Sequence, residues 1–455
     1  MSTHPPRSLS DHALFAGFLA LILWVPIPLG SNRPWSWAVL ELWVFTLMLG
    51  WLVAYVLGKA HTTPALRGAW PALICCALWL AYVWLQLLPL PLDWLNALSP
   101  HAARWHADGA WPAQNIAAPL TLDRYATLDG ALKSAAYIGF FALTLALLDR
   151  NERVAATGYT LVVSGVLQAL YGGITALTGA PGEVAAGSFV NRNHFAGYLE
   201  LCLSAGLGLL VGNLTGKSAH TWRQFLRNSV AWIFSIRMQL RLALVVMVIA
   251  LILSRSRMGN SAFFISMLVT GGIALLLSKR APRSMMVLIA SLVVIDIALV
   301  GAYFGVEKVV DRLEQTQMKD ERRESTQALA IWQDYPVFGS GLGSFRVVFP
   351  KYRGADLGEP YTHAHNDYVE FASETGAVGL GLLGLLVLMS FGAALRAQFA
   401  RHNPLMRGFS FGAIMGIISL MIHSSVDFNF QIPANALTFM LLLAFAWVSL
   451  HHRER

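Results

Sequence analysis

The chain has 455 residues, of which 56% are hydrophobic and only 13% are charged. Soluble domains carry about 25% charged residues, so the composition excludes a soluble domain and predicts an all-α polytopic membrane protein surrounded by the lipid bilayer. The net charge is +8, but the basic residues are scattered over short segments without a basic, aromatic-rich patch. We therefore expect contacts with anionic lipid and no nucleic-acid partner.

Apolar stretches long enough to cross a hydrocarbon core of roughly 30 Å as helices recur along the chain. The first lacks an A-x-A-like cleavage site after it, which predicts a retained span rather than a signal peptide. Together they predict about twelve transmembrane helices. The predicted spans are about 12–30, 36–58, 69–90, 131–149, 154–178, 194–213, 240–256, 261–278, 284–304, 376–395, 405–424 and 433–450.

The distribution of Lys and Arg between the spans predicts the orientation. Successive segments between the spans lie on alternate sides of the membrane. When the long segment 305–370 is left out, the set of segments that includes both termini carries most of the Lys and Arg residues. Such an excess marks the cytoplasmic side, so both termini are expected there. Residues 1–304 then hold nine helices and a periplasmic loop near 91–130, segment 305–370 is a second periplasmic loop, and residues 371–455 hold the last three helices. Segment 215–239 fits an interfacial amphipathic helix or, equally, a solvated basic loop.

Several polar side chains reach the outer ends of the helices on this topology, although they lie far apart in the sequence. Guanidinium groups match phosphate oxygens as bidentate forks and stay charged at any pH, so arginines around histidines suit a diphosphate ester. These outer residues are Arg192, Asn193, His194, Arg255, Arg257, Arg322, Arg323, His363, His365, His423 and Asp427.

Two arginines lie in the turn from Ser254 to Asn260, between two predicted spans. Arginines at such a position either extend to lipid head groups or form an anion site at a short turn. The flanking serines and the following glycine favour the anion site. Of the two, Arg257 is the favoured ligand and Arg255 the alternative.

A glycine-rich turn follows the charged, helical segment that ends near Asp334. Pro336 ends the helix, and Gly339, Gly341 and Gly343 permit close approach of another backbone. No P-loop lysine follows the glycines, so ATP is not implied.

The run from Thr362 to Tyr368 has the densest polar chemistry of the chain. His365 is predicted to begin a helix in which it shares a face with residues 369, 372 and 376. Its neutral imidazole suits proton abstraction from a sugar hydroxyl near pH 7, whereas His363 is a participant or a bystander with equal weight. Zinc bound by His363, His365 and Asp367 is the competing interpretation, but no third His or Cys completes a zinc pattern, so no metal is expected.

Three carboxylates, Glu41, Glu200 and Asp296, fall inside apolar spans. Charged groups at such positions are costly and need partners. They could bind sugar hydroxyls, pair with the outer arginines, or satisfy a neighbouring helix.

An ordered set of motifs resembles the O-antigen ligase and O-antigen polymerase family of bacterial inner-membrane proteins from about residue 120 onward. The motifs that carry this resemblance are Ser256-Arg257, Arg323, Trp332, Gly339 to Gly343, His365-Asn366, Glu374, Gly376, Gly379 and the segments 189–197 and 423–435.

The resemblance implies a GT-C-type helical fold that transfers a glycan from undecaprenyl diphosphate to an acceptor at the periplasmic face, without a metal. It implies that Arg257 and Arg323 bind the diphosphate, with Arg255 and Arg322 as the alternatives in each doublet, and that His365 activates the acceptor hydroxyl. No cofactor is expected, because undecaprenyl diphosphate is already a good leaving group. Further candidates for substrate contact are Arg192, Asn193, His194, His363, Asn366, Glu374 and Asp427.

Three outcomes share this chemistry: polymerisation of glycan repeat units, ligation of a glycan to lipid A-core, and glycosylation of a protein. An alternative from another class is a flippase or transporter that moves lipid-linked sugars without making bonds. Transporters place polar residues near the bilayer midplane, whereas the polar residues here gather at one face. The pattern favours a transferase.

Overall fold

The computed structural model describes residues 9–109, 117–180, 183–213, 235–277, 317–354 and 361–453. Within these ranges the helices are joined by turns and loops, and the strands are limited to a two-residue antiparallel pairing of Leu90–Pro91 with Ala117–Ala118. The predicted span 284–304 with Asp296, and most of segment 215–239, lie outside the described residues.

Sixteen α-helices follow one another in the described chain. They are α1 (Leu9–Trp24), α2 (Pro34–Val56), α3 (Pro64–Gly68), α4 (Trp70–Leu87), α5 (Leu92–Leu98), α6 (Pro100–Gly109), α7 (Arg124–Leu147), α8 (Asn151–Thr178), α9 (Arg192–Gly212), α10 (Ile236–Leu253), α11 (Arg257–Leu277), α12 (Gln317–Asp334), α13 (Phe345–Val348), α14 (Asp367–Ala400), α15 (Pro404–His423) and α16 (Pro433–His451). Short 3₁₀ turns occupy Leu29–Ser31, Phe349–Lys351 and Asn429–Gln431.

The all-α polytopic fold is confirmed. In the ranges given above, nine helices are long and apolar enough to cross a membrane, and α1 is apolar but shorter. Every predicted span except 284–304 coincides with one of the helices. The agreement follows from hydropathy, because a helix in lipid must satisfy its own backbone and present apolar side chains over its whole length.

Two helices begin earlier than the hydropathy predicts, because side chains cap them in the outer layer. The Asp123 carboxylate accepts the N–H groups of Tyr125 and Ala126 at 3.1 Å, so α7 begins at Arg124 rather than at 131. The Asn366 side chain accepts the N–H of Val369 at 3.2 Å, so α14 begins at Asp367, close to the helix start predicted at His365 and ahead of the predicted span 376–395.

Helix α14 is broken at Gly376, where φ is +60°. The N–H groups of Ala377 and Val378 donate to the carbonyls of Pro336 and Val337, at 2.9 and 3.2 Å, instead of to the preceding turn of the helix. A Cβ on Gly376 would lie 2.3 Å from the Val337 carbonyl oxygen, so only glycine fits here.

The backbone carbonyls that lose their helical partners at this break accept hydrogen bonds from the glycine-rich turn. The N–H of Ser340 donates to the Ser373 carbonyl at 2.9 Å, and that of Gly341 to the Glu374 carbonyl at 2.8 Å. The Gln86 amide of α4 joins the two segments by donating to the carbonyls of Phe338 and Glu374. The glycines therefore serve a backbone junction with α14, which accounts for their spacing without a phosphate.

The two long outer segments fold together into a layer with its own apolar core. Leu95 and Ala102 of α5 and α6 are buried with Ile331 of α12 and with Phe345 and Phe349 beyond the glycine turn. The bundle core is separate and involves α9, α15 and α16 above all. In it a Cβ on Gly408 would approach the Gly208 carbonyl to 2.2 Å, a small-residue contact typical of tightly packed membrane helices.

Candidate functional site

Three histidine rings surround the ring of Phe428 at the junction of the outer layer and the bundle. His363 stacks on it with ring centres 4.3 Å apart, and His194 and His365 meet it edge-on at 4.5 and 4.9 Å. These four residues are termed the imidazole cluster. It brings together the start of α9, the loop before α14 and the loop after α15, as their shared outer position predicts.

Asp427 supplies a buried carboxylate beside this cluster. Its Oδ1 lies 3.4 Å from Nε2 of His194 and accepts the Phe428 N–H at 2.8 Å, and its Oδ2 lies 3.9 Å from Nε2 of His423. Burial raises the pKa of Asp427. The hydrogen bond to His194 and the charges of His194 and His423 lower this pKa by more than burial raises it, so the pKa of Asp427 lies below its ordinary range. Asp427 is therefore a stable negative charge.

Glu370 and Asn366, in and next to α14, hold the loop that carries His363 and His365. One oxygen of Glu370 lies 2.8 Å from Nδ1 of His363, and the other accepts the Ala364 N–H at 2.8 Å. Asn366 caps α14 and also donates its amide to the Ser425 carbonyl at 2.8 Å. Asn366 is thus engaged in fixing the loop to the segment that carries Asp427.

His365 precedes α14 rather than beginning it, so the predicted helical face shared with residues 369, 372 and 376 is wrong. Its φ is +47°, a left-handed conformation outside a helix, and Asn366 takes the capping position. The side chain is half-buried. Burial lowers the pKa of His365 below the ordinary imidazole value, and this outweighs the raising effects of Asp427 and Glu370. His365 is accordingly a neutral imidazole near pH 7.

Helix α12 places the Arg322-Arg323 doublet next to this loop. The Ser325 hydroxyl donates to the Ala364 carbonyl at 2.8 Å, and the doublet precedes Ser325 by two and three residues on the same helix. The side chains of both arginines lie outside the described part of the chain.

Arg255 and Arg257 lie at the same end of the bundle, in the turn between α10 and α11. Arg255 has φ +53° and is half-buried, and Arg257 is the exposed first residue of α11. The turn packs on α9, where a Cβ on Gly259 would lie 3.2 Å from Oε1 of Glu200. Arg192 and Asn193 form the first turn of α9, and the Asn193 N–H donates to its capping residue Asn191 at 2.8 Å.

Buried polar groups connect the arginine turn to the imidazole cluster. The Glu200 carboxylate lies 2.7 Å from Nδ1 of His423 and accepts the Ser419 hydroxyl at 2.6 Å. The other ring nitrogen of His423, Nε2, lies 3.9 Å from Oδ2 of Asp427. Glu200 is thus satisfied by a neighbouring helix, one of the roles predicted for it. Within the described residues no three His, Cys, Asp or Glu side chains converge as metal ligands.

A cavity of about 640 Å³ adjoins the cluster. His363, Glu370 and Glu374 line it, whereas His365 and Arg257 are not among its lining residues. Glu374 accepts the Phe345 N–H at 3.0 Å through one oxygen. The cavity therefore touches the cluster on the His363 side.

Sequence reasoning missed three residues of this region as site residues. Lys133 lines the cavity, and its charge inside the predicted span 131–149 was the signal that could have identified it. Glu370 belongs to none of the motifs that the sequence analysis identifies. Phe428 is an aromatic side chain with no distinguishing local pattern, so only tertiary structure reveals it.

Long apolar helices with polar chemistry gathered at one end define a polytopic membrane protein with a candidate site at one membrane face. Residues 242–384 match a family model described as O-antigen ligase, a range that contains the Arg257 turn, α12, the glycine-rich turn and the histidine loop. This match supports the O-antigen ligase and polymerase family for the chain and so confirms the resemblance. No curated protein matches the chain.

Proposed function

We propose that the protein transfers a glycan from undecaprenyl diphosphate to an acceptor hydroxyl at the periplasmic face of the bacterial inner membrane. One observation supports this above the others: His365, a neutral imidazole, lies in a loop fixed between the helix of Arg322 and Arg323 and the segment of Asp427. This supports the proposal, because the proposed base and the helix that carries the proposed anion-binding doublet belong to one end of an apolar bundle.

The reaction we propose is a single displacement. His365 accepts the proton of the acceptor hydroxyl as its oxygen forms a bond to the anomeric carbon. The bond from that carbon to the diphosphate oxygen breaks, and undecaprenyl diphosphate leaves with the electron pair. Attack opposite the leaving group inverts the anomeric carbon, and no metal or nucleotide takes part.

Charged side chains stabilise both charges that develop in this step, one on the departing diphosphate and one on the base. Arg257 and Arg323 stabilise the charge that develops on the departing diphosphate, with Arg255 and Arg322 as the alternatives in their doublets. The negative charge of Asp427 stabilises the imidazolium that forms on His365, because opposite charges nearby favour the protonated ring.

The test is glycan transfer in membranes supplied with a lipid-linked donor. His365→Ala should insert normally and abolish transfer, whereas His101→Ala should retain it. His101 is the control because its ring, 3.0 Å from Asp334, lies in the outer layer and is not part of the imidazole cluster. Full transfer by His365→Ala would remove the base from the mechanism, and lipid movement without product would favour a flippase.

The acceptor is assigned by what a deletion strain accumulates. Single lipid-linked repeats indicate a polymerase, complete unattached chains indicate a ligase acting on lipid A-core, and loss of protein-bound glycan indicates a protein oligosaccharyltransferase. We favour a polymerase or ligase for a surface polysaccharide, because no additional acceptor-binding domain is recognisable in the sequence.

A further inference from the structure

Helix α5, which runs over Leu92–Leu98, sorts its side chains by polarity around its axis. Leu95 is fully buried in the core of the outer layer, and Leu92, three residues earlier, is half-buried on the same side. Asp93 and Asn96 are exposed and also three residues apart, so they form a polar face. These two faces account for one side packed on protein and one side turned to water.

The third face of α5 is apolar and exposed. It consists of Trp94, Ala97 and Leu98, which share a face because they are three and four residues apart. The side chain of Trp94 is 66% exposed and that of Leu98 is 44% exposed. Large apolar side chains grouped on one exposed face mark an interaction surface, and tryptophan is enriched where membrane meets water.

This face of α5 continues the lipid-facing side of α4. Helix α4 is among the helices long and apolar enough to cross a membrane, so its exposed apolar side chains face lipid. Those side chains recur at helical spacing up to the end of the helix, and they are Ile74, Leu78, Trp84, Leu85 and Leu88. The exposed apolar surface therefore passes from a membrane-crossing helix into the outer layer.

The connection between α4 and α5 keeps α5 close to the membrane boundary. The 18 residues of α4 correspond to about 27 Å of helix, close to the roughly 30 Å of a hydrocarbon core. Only the four residues 88–91 separate the two helices, which limits the distance from Leu87 to Leu92 to about 18 Å. Lipid is thus within reach of the apolar face of α5.

We propose that α5 is an interfacial helix whose face of Trp94, Ala97 and Leu98 is embedded in the membrane leaflet next to the outer layer. The partner is the lipid surface itself, with the indole of Trp94 at the level of the head groups and the polar face turned to water. This contact gives the outer layer an attachment to the membrane beyond the ends of the membrane-crossing helices.

The attachment reaches the histidine loop through the core of the outer layer. Leu95 and Ala364 are both fully buried in that core, and Ala364 lies between His363 and His365. A helix embedded on one face and packed on this core by the other holds the histidine loop at a fixed height above the bilayer.

A spin label on Ala97→Cys reports the surroundings of the apolar face. The full chain is reconstituted in liposomes of phosphatidylethanolamine and phosphatidylglycerol, with the buried Cys75, Cys76 and Cys202 replaced by alanine so that one thiol is labelled. An embedded label meets dissolved oxygen often and a water-soluble nickel chelate rarely. We expect collisions with the chelate to be several-fold rarer at position 97 than at a water-facing position of the same helix.

The matched control is Asn96→Cys, one residue earlier on the polar face of α5 and likewise exposed. Its label should meet the nickel chelate freely. Equal access of the chelate to both labels would overturn the proposal. Spin–spin broadening at position 97 that disappears on dilution with unlabelled protein would assign the face to a second copy of the chain instead of lipid.

Fluorescence quenching tests the same contact without a label, and so covers the case in which a cysteine variant fails to fold. The chain has 15 tryptophans, so the signal of Trp94 is obtained as the difference between wild type and Trp94→Phe. Phosphatidylcholine brominated near the head-group end of its acyl chains should quench more fluorescence in wild type than in Trp94→Phe. Equal quenching in the two proteins would place Trp94 outside the leaflet and overturn the proposal.

Trp105→Phe is the control for quenching. Trp105 also belongs to the outer layer, but it is half-buried, and the ammonium of Lys351 lies 5.5 Å from the centre of its ring. Its replacement should leave the amount of fluorescence quenched by the brominated lipid unchanged. These measurements need no glycan transfer, so the lipid contact can fail while the proposed function stands, and the reverse.

Discussion

The imidazole cluster and the cavity share His363, yet they differ in almost every physical respect. In the cluster, three imidazoles pack closely around the ring of Phe428, beside the Asp427 carboxylate and on loops that hydrogen bonds hold in place. The cavity is wide and largely apolar, and within the residues that the structure describes Oε2 of Glu374 in its wall has no hydrogen-bond partner. Tight mutual positioning suits a chemical step, whereas open volume with unpaired acceptors suits binding.

This difference predicts a kinetic separation. Substitutions in the cluster should lower kcat, and substitutions confined to the cavity should raise KM for one substrate. Four predictions test this kinetic separation.

The largest effect is expected at Glu370, which lines the cavity and also holds His363 of the imidazole cluster. Glu370→Ala removes the partner of His363 and the acceptor of the Ala364 N–H, so the histidine loop loses its fixed position, and kcat should fall about 100-fold. Steady-state kinetics of glycan transfer measure this. Glu370→Gln retains an acceptor oxygen and should recover part of the loss. A change in KM alone would assign Glu370 to the cavity.

The next effect concerns the proposed diphosphate ligand. Arg257→Lys replaces a bidentate fork by a point charge and should reduce transfer about tenfold or more. Arg124→Lys is the matched control, because Arg124 is likewise the exposed first residue of a helix, and it should transfer glycan at the wild-type rate. Equal rates for Arg257→Lys and wild type would assign Arg257 to lipid head groups.

The third prediction is a displacement of the pH profile. The base acts in its neutral form, so the rate should fall as pH drops through the pKa of His365, which burial lowers. Asp427 and Glu370 raise this pKa, whereas His363 and His194 lower it. Asp427→Asn removes a raising charge, so the acid limb should move to lower pH. Asp334→Asn, in the outer layer, should leave the limb in place, and an unmoved limb in Asp427→Asn would contradict the cluster.

The smallest effect is expected at Trp37, beneath the ammonium of Lys133. Trp37→Leu removes a cation–π contact worth about 0.5–1 kcal/mol. KM for the cavity substrate should therefore rise about two- to fivefold with kcat unchanged, as kinetics with varied donor and acceptor can show. Trp105→Leu, beneath Lys351, serves as the control. A lower kcat with unchanged KM would contradict the kinetic separation.

Hydropathy was sufficient to locate the long apolar helices of the described residues, because a helix that crosses a membrane is apolar over its whole length. It could not place the early start of α7 or the break in α14, which depend on Asp123 and on the backbone junction with Ser340 and Gly341. Such bonds join segments that are remote in the sequence.

The candidate site, like the fold, was predictable from the sequence only in part. The histidines and Asp427 could be assigned to the outer face from topology, since each lies beside the end of a predicted span. The left-handed conformation of His365 and the central ring of Phe428 could not, because both arise from packing between three loops. Lys133 was visible in the sequence only as a charge in an apolar span.

The break at Gly376 divides the mechanical behaviour of α14. Before the break, the carbonyls of residues 373 and 374 accept backbone hydrogen bonds from the turn at 340–341, whereas beyond it residues 377 and 378 donate to the carbonyls of Pro336 and Val337. A membrane helix tilts as bilayer thickness changes, and this junction offers a point at which such tilting can be absorbed. Glu370 and the histidine loop would then keep their geometry in membranes of different thickness, because the tilt changes only the part of α14 beyond the break.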